Sequence, residues 1–365
     1  MPLSLSARID DFQRRHPATG FPLAVVYKFV DDQGAYLAAL MAYYAFISLF
    51  PLLLLFATGL GIVLADNPEL QQRILDSALS QIPVIGGQLE QPEQLSGGVP
   101  AITIGVLGSL YGGLGVAVAA QNAMNTVWAV PRNERPDPIR ARLRGLVLLS
   151  TVGTAVIGLT VINGVSAAFE LGTVGRAFAI IGSVVLNTGV FTAAFRIGTA
   201  RDVSVRQVLP GAFAAAVGWQ VLQSFGSVYV QHVIGNASAT NGVFAVVLGL
   251  LAFLYIAALL MVMCLEFNTV RVDKLFPRSL LTPFTDNVQL TAGDEAAYAA
   301  QAQAQRSKGF QDIAVTFDNP AAGHGADETH EATQPEDAGS TAPSTTDSDV
   351  IHRDAIHPVT RDQTP

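Results

Sequence analysis

The 365-residue chain has a single cysteine, Cys264. That excludes an internal disulfide framework and a thiolate metal cluster. Charge is scarce as well: 14% of residues are Asp, Glu, Lys or Arg, against about 25% in soluble domains. Only two of the six histidines, His16 and His232, precede residue 279. Metal-assisted hydrolysis draws on clustered His and Asp/Glu ligands, so no metal, cofactor or catalytic residue is expected and the chain reads as a non-enzyme. No Gly-x-x-x-x-Gly-Lys-Ser/Thr loop occurs, which removes that route to ATP.

What the chain has is apolar length. Between Asp32 and Asp66 there is no charge, and residues 36–65 form one apolar run. A run above about 18 residues reads as a membrane-spanning helix, since inside hydrocarbon a helix satisfies its own backbone. It is too long for a signal peptide and lacks a short basic leader. It must tilt, kink at Pro51 or overrun one interface. Further runs cover 99–127, 145–169, 177–195, 207–231 and 242–265. The expected fold is all-α, a six-transmembrane-helix bundle over 36–278. In the second run, Gly108-x-x-x-Gly112 and Ala119-x-x-x-Ala123 let another helix approach closely, and Trp128 is expected to anchor the interface.

Sidedness follows from the connections. Lys and Arg total fifteen in the N-terminus and in 129–144, 196–206 and 266–278, but two in 66–98, 170–176 and 232–241. The basic connections belong in the cytoplasm, which puts both termini there. The arginines of 131–144 could suit nucleic acid, but cytoplasmic retention accounts for them, so no nucleic acid is expected. Residues 1–35 read as a cytoplasmic amphipathic leader of two interfacial helices, with arginines towards anionic lipid. Residues 70–82 read as an amphipathic helix against the outer surface. Residues 1–278 carry 17 basic and 15 acidic side chains, and 279–365 carry 4 and 14. That acidic segment lacks apolar periodicity and is expected to be a disordered cytoplasmic tail, with transient helix at 296–305.

Polar groups in or near the spans are the candidates for a substrate or ion pathway: Tyr43, Tyr44, Ser48, Pro51, Asn122, Asn125, Asn187, Glu266 and Asn268. Asn163, Gln220 and Gln223 are similar. Glu266 is the main ionisable one. It is either a proton or cation site or a helix-end carboxylate paired with Arg271 or the basic loop, since an intramembrane carboxylate needs a partner or water. Pro51 frees a carbonyl near Ile47 that neighbours or water could occupy. The other polar groups also suit interhelical bonding.

The order of these features resembles the YihY/virulence factor BrkB family of bacterial inner-membrane proteins. Tyr43-Tyr44, Ser48 and Phe50-Pro51 in the first run, Asn125-Thr126-Val127-Trp128, Leu209-Pro210-Gly211-Ala212 with Trp219, and Cys264-Leu265-Glu266-Phe267-Asn268 carry the likeness over about residues 20–275. Cys264 departs from the family's usual glycine, Phe253 from its tryptophan and Asn241 from its tyrosine. The resemblance supports the location more firmly than the substrate. Because a membrane bundle with polar groups facing inward can form a pathway, the first reading is a multi-pass transporter, exporter or lipid-handling protein of unidentified substrate. The alternative is a non-transporting envelope scaffold holding a protein partner. The family's old label, ribonuclease BN, fits poorly with the histidines. The bilayer is the expected partner, with anionic lipid at the cytoplasmic face, and a homo-oligomer is compatible with the pattern. A reporter that is active only in the cytoplasm, fused within 131–144, is expected to be active. A periplasm-dependent reporter there is expected to be silent, and the reverse result would invert the topology.

Overall fold

The computed structural model describes residues 5–63, 69, 98–168, 172–229, 239–285 and 288–317. The expected outer helix over 70–82 and the acidic segment beyond 318 lie outside these residues. The described residues are all helical or irregular, with no strand among them. Two short helices come first, α1 (Leu5–Arg15) and α2 (Pro17–Asp31). Long helices follow: α3 (Gly34–Val63), α4 (Gly98–Val127), α5 (Pro138–Ala168), α6 (Gly172–Gly198), α7 (Val205–Tyr229) and α8 (Ala239–Val272). A last short helix is α9 (Ala292–Ala304). Stretches long and apolar enough to cross a membrane are Ile180–Gly198, Val205–Gly226 and Val247–Val272.

The distribution of side chains is the reverse of a soluble core. Alanine dominates the interior: Ala38, Ala119, Ala123, Ala212 and Ala215 are buried. Large apolar side chains such as Leu107, Tyr111, Phe178, Ile181, Val185 and Phe225 point outward. Water would penalise such a surface. Lipid does not, and it leaves small-residue packing as the means of joining helices.

The tightest joint is between α3 and α4, which run antiparallel. Pro51, Ser48 and Tyr44 step down α3 against Gly108, Gly112 and Gly115 stepping up α4. A Cβ at Gly112 would collide with the Ser48 backbone, so glycine sets the helix separation there. α8 then packs on α3, α7 and α2, and α6 joins α5 to α7.

α7 shows how the fold accommodates a proline. Pro210 lacks the N–H that the Arg206 carbonyl would otherwise receive. Arg271 Nη2 donates instead, at 3.2 Å to Arg206 O and 2.7 Å to Gln207 O. Asn268 completes the repair: the Gly211 N–H donates to its Oδ1 at 2.9 Å, and its Nδ2 donates to Val208 O at 3.0 Å. Gly211 is required because a Cβ would strike Asn268 and the Cys264 carbonyl.

The leader also packs on the rest of the chain, which its expected interfacial role does not by itself require. α2 packs on α8, and Phe21 makes edge contacts with Phe267 and Phe276. α1 holds the chain's own segment after α8: Asp10 Oδ1 accepts the Leu280 N–H at 2.7 Å, and Arg14 donates to Ser279 Oγ at 3.0 Å. Arg14 is therefore engaged by protein. Residues 288–317 also differ from the disorder expected for 279–365. Thr291 and Asp294 form a reciprocal capping box that starts α9, two polar groups satisfying two helix-end N–H groups. Ala297 buries against Ala24, Val270 and Leu275.

Gly112→Ala is expected to cost about 1–3 kcal/mol through overpacking. Gly153→Ala, where a Cβ would meet nothing within 4 Å, is expected to be neutral. Thermal unfolding of the two purified variants in detergent checks the contrast.

Candidate functional site

Where α2 ends against α8, three ionisable groups are buried together. Lys28, Asp32 and Glu266 are 3%, 7% and 0% exposed. Lys28 lies in the apolar stretch 21–30 of α2, one turn before Asp32, so both point to the same face. That face packs on α8 and the end of α4. The ammonium donates to Asp32 Oδ2 and, at 3.1 Å, to the carbonyl of Val127. Val127 is the last residue of α4, where helical carbonyls lack intrahelical donors, so Lys28 also caps that helix. Glu266 Oε2 stands 3.6 Å from Lys28 Nζ, beyond hydrogen-bond length, and neither Glu266 oxygen has a hydrogen-bond partner. Burial works against the Lys28 charge, yet the Glu266 and Asp32 carboxylates outweigh it and hold the ammonium above the usual lysine range. Burial pushes the Asp32 carboxyl up despite the ammonium beside it.

A second cluster adjoins the first. Arg278, fully buried, pairs with Asp294 at 2.5 Å and with Asp31 at 2.9 Å, and its guanidinium lies over the Tyr298 ring, 5.2 Å from the centroid. Gln13 and Gln301 add donors to the Arg278 and Asp31 carbonyls. Adjacent residues Asp31 and Asp32 thus serve different clusters. Between them and α9 lies a cavity of about 330 Å³, lined by Lys28, Asp32, Tyr36, Asn122, Arg135 and Gln301 among others.

Other polar contacts gather at the same end. Arg201 grips Asp273 through two bonds of 2.8 Å and lies over the Trp128 ring at 5.1 Å. Trp128 is 1% exposed, so it is core and not the interfacial anchor expected: the turn after α6 covers it. Asp137 Oδ1 caps α5 by accepting the Ile139 and Arg140 N–H groups. Arg306, beyond α9, pairs with Glu134.

The sequence-derived candidates separate. Glu266 enters the buried cluster, paired with Lys28 and not with Arg271 or the basic loop, because Arg271 is occupied by the α7 carbonyls. Asn122 lines the cavity and accepts from Arg135 at 3.1 Å. Asn125 Oδ1 accepts the Ala200 N–H at 2.7 Å, joining α4 to the α6–α7 turn. Asn268 repairs α7. Tyr44, Ser48 and Pro51 belong to the α3–α4 seam; Ser48 Oγ donates to Ala45 O at 3.0 Å. Tyr43 points outward, and Asn187 is half-buried on α6. Lys28, Asp31, Asp32, Arg278 and Asp294 were not among the candidates. Lys28 and Asp32, four apart in an apolar stretch, and Thr291-x-x-Asp294, a capping spacing, were the available signals.

These features define an all-helical membrane protein with a polar, buried cluster at one end. The chain belongs to the Virulence factor BrkB family, whose profile matches residues 25–282. It is 26% identical over 281 residues to the inner membrane protein YhjD of Escherichia coli, covering 69% of this chain and 80% of that one. It is 25% identical over 258 residues to a UPF0761 membrane protein of Nitrosospira multiformis, covering 66% of this chain and 58% of the relative. A protein named as ribonuclease-like, YfkH of Bacillus subtilis, is 24% identical over 261 residues, covering 66% and 91%. No solved structure matches.

Arg278→Ala strands two carboxylates and is expected to cost about 3–5 kcal/mol. Because Asp294 starts α9, the loss falls there first: hydrogen exchange across 292–304 accelerates while 205–229 stays protected. Arg278→Met with Asp294→Leu is expected to restore part of the protection.

Proposed function

We propose that the chain is a six-span inner-membrane protein, both termini cytoplasmic, that moves or handles an amphiphilic substrate. The observation that carries this reading is a cleft of about 800 Å³ between α5 and α6. That volume falls in the range of small-molecule sites. Leu146, Val147, Ala155, Val185, Leu186 and Val190 line it. Ser150, Thr151 and Thr154 also face it, but each hydroxyl donates to a carbonyl of its own helix four residues back, at 2.9 Å. Their polarity is consumed locally, so the cleft offers hydrocarbon to a ligand, as an acyl chain requires. The sidedness is supported by the contacts that bring α1, 131–137, 199–204, 271–279 and α9 to one end, where the arginines gather. The named relatives that are membrane proteins support the location, not the substrate.

A second reading is a non-transporting scaffold. It is favoured by the filled, alanine-rich interior that α3, α4, α7 and α8 share among the described residues. Reconstitution separates the two. Wild-type liposomes are expected to move a fluorescent phospholipid faster than empty ones. Gly189→Trp fills the cleft at a position where a Cβ meets nothing within 4 Å. It is expected to slow movement about tenfold, equivalent to roughly 1.4 kcal/mol, while keeping the wild-type melting temperature. No lipid or solute movement by wild type would favour the scaffold.

A further inference from the structure

We propose that Lys28, Asp32 and Glu266 form a proton-binding site, in which one exchangeable proton resides on the Asp32–Glu266 carboxyl pair beside the Lys28 ammonium and reaches it through the cavity under α9. The argument begins with a charge count. Two buried cations, Lys28 and Arg278, face four carboxyl groups: Asp31, Asp32, Asp294 and Glu266. Arg278 is committed to Asp31 and Asp294. Asp294 is further satisfied by the N–H groups of Ser279 and Thr291, each at 2.9 Å. Lys28 is therefore left with two acids. Its donors go to Asp32 and the Val127 carbonyl, and it approaches Glu266 without bonding it. An ionised Glu266 would be a fully buried carboxylate with no hydrogen-bond donor on either oxygen. Such a charge is strongly disfavoured, and two adjacent carboxylates sharing one cation resist ionising together. Taking up one proton turns the group from one net negative charge to neutral, with no other bond changed.

The surroundings leave little else to supply the balance. The charged partners of Glu266 are Lys28 and Asp32, both from the end of α2, with Asp31 acting on that pair. Across the cavity, Arg135 faces Asp32, and Arg132 and Tyr36 complete the titratable groups of its lining. From α7, Arg206 offers its carbonyl to Arg271; from α4, the buried polar side chains are neutral and engaged elsewhere, Gln121 by the Ala117 and Ala141 carbonyls and Asn125 by the Ala200 N–H. The cavity reaches Lys28 and Asp32 and stops short of Glu266, so Asp32 is the group through which a proton enters. Gln301 and Gln305 of the α9 region form its far wall.

This inference is independent of what the protein moves, because protonation reads out without substrate. The test is infrared difference spectroscopy of the intact purified chain through a pH step. With the step kept above about pH 6, where ordinary carboxylates stay ionised, a protonated-carboxyl carbonyl band is expected, shifted in D2O, titrating as one proton per chain, and lost in Glu266→Gln. Asp32→Asn is expected to keep the band and move its pH midpoint, which guards against a Glu266 variant that fails to fold. A wild-type spectrum with no titrating carboxyl band above about pH 6 would overturn the proposal. So would loss of the band on adding sodium at fixed pH, which would assign the site to a metal cation.

Discussion

The Lys28 ammonium is the interaction on which this end of the bundle depends: the end where α2, α4 and α8 meet. It lies on α2, donates to the last carbonyl of α4 and faces a carboxylate of α8. Three helices distant in sequence are therefore joined at one charge. Burying an ammonium is expensive without partners, so it stays only where those helices meet. That requirement fixes the end of α2, and the end of α2 positions Asp31. Asp31 then holds Arg278, and Arg278 holds the start of α9. Order passes from the membrane helices into a segment that has little apolar surface of its own.

A second constraint acts along the helices, and it is steric. The α3–α4 seam places glycine opposite Pro51, Ser48 and Tyr44, so backbone approach supplies the packing that water would otherwise drive. The α7–α8 joint solves a different problem. Pro210 and Gly211 weaken the helix where they stand, and Asn268 and Arg271 restore the lost bonds from α8. Polar side chains there maintain backbone satisfaction, which in hydrocarbon is costly to neglect.

These two kinds of joint differ in how far they could be read from sequence. The seam was legible because Gly108 and Gly112 have a fixed spacing on one helix. The apolar runs were legible because their length exceeds what a soluble element uses. Trp128 was misread, since amphipathic character suggests an interface, while its burial depends on Arg201 and a turn far along the chain. The pairing of Lys28 with Glu266 joins the two ends of the chain and leaves no local pattern. α9 was legible in part: helix is expected at 296–305, but averaging composition over an acidic tail obscured Thr291 and Asp294, whose spacing marks where the helix starts.

The buried cluster also bears on why the fold contains it at all. Replacing a buried ion pair by apolar side chains of similar volume is often neutral or stabilising. Stability therefore gives no reason to place Glu266 where neither oxygen finds a donor, one helical turn past Val262 and beside Leu265, both fully buried. Cys264 and Met263 show that apolar or weakly polar side chains fit the same stretch of α8. A buried ionisable group in a membrane protein is a functional-site hypothesis by default, and sites that break a local rule are where function is expected. Lys28 alone could be neutralised by Asp32, as an i, i+4 pair. The second acid is the surplus, and a surplus acid beside a satisfied ion pair is chemically a place for a proton.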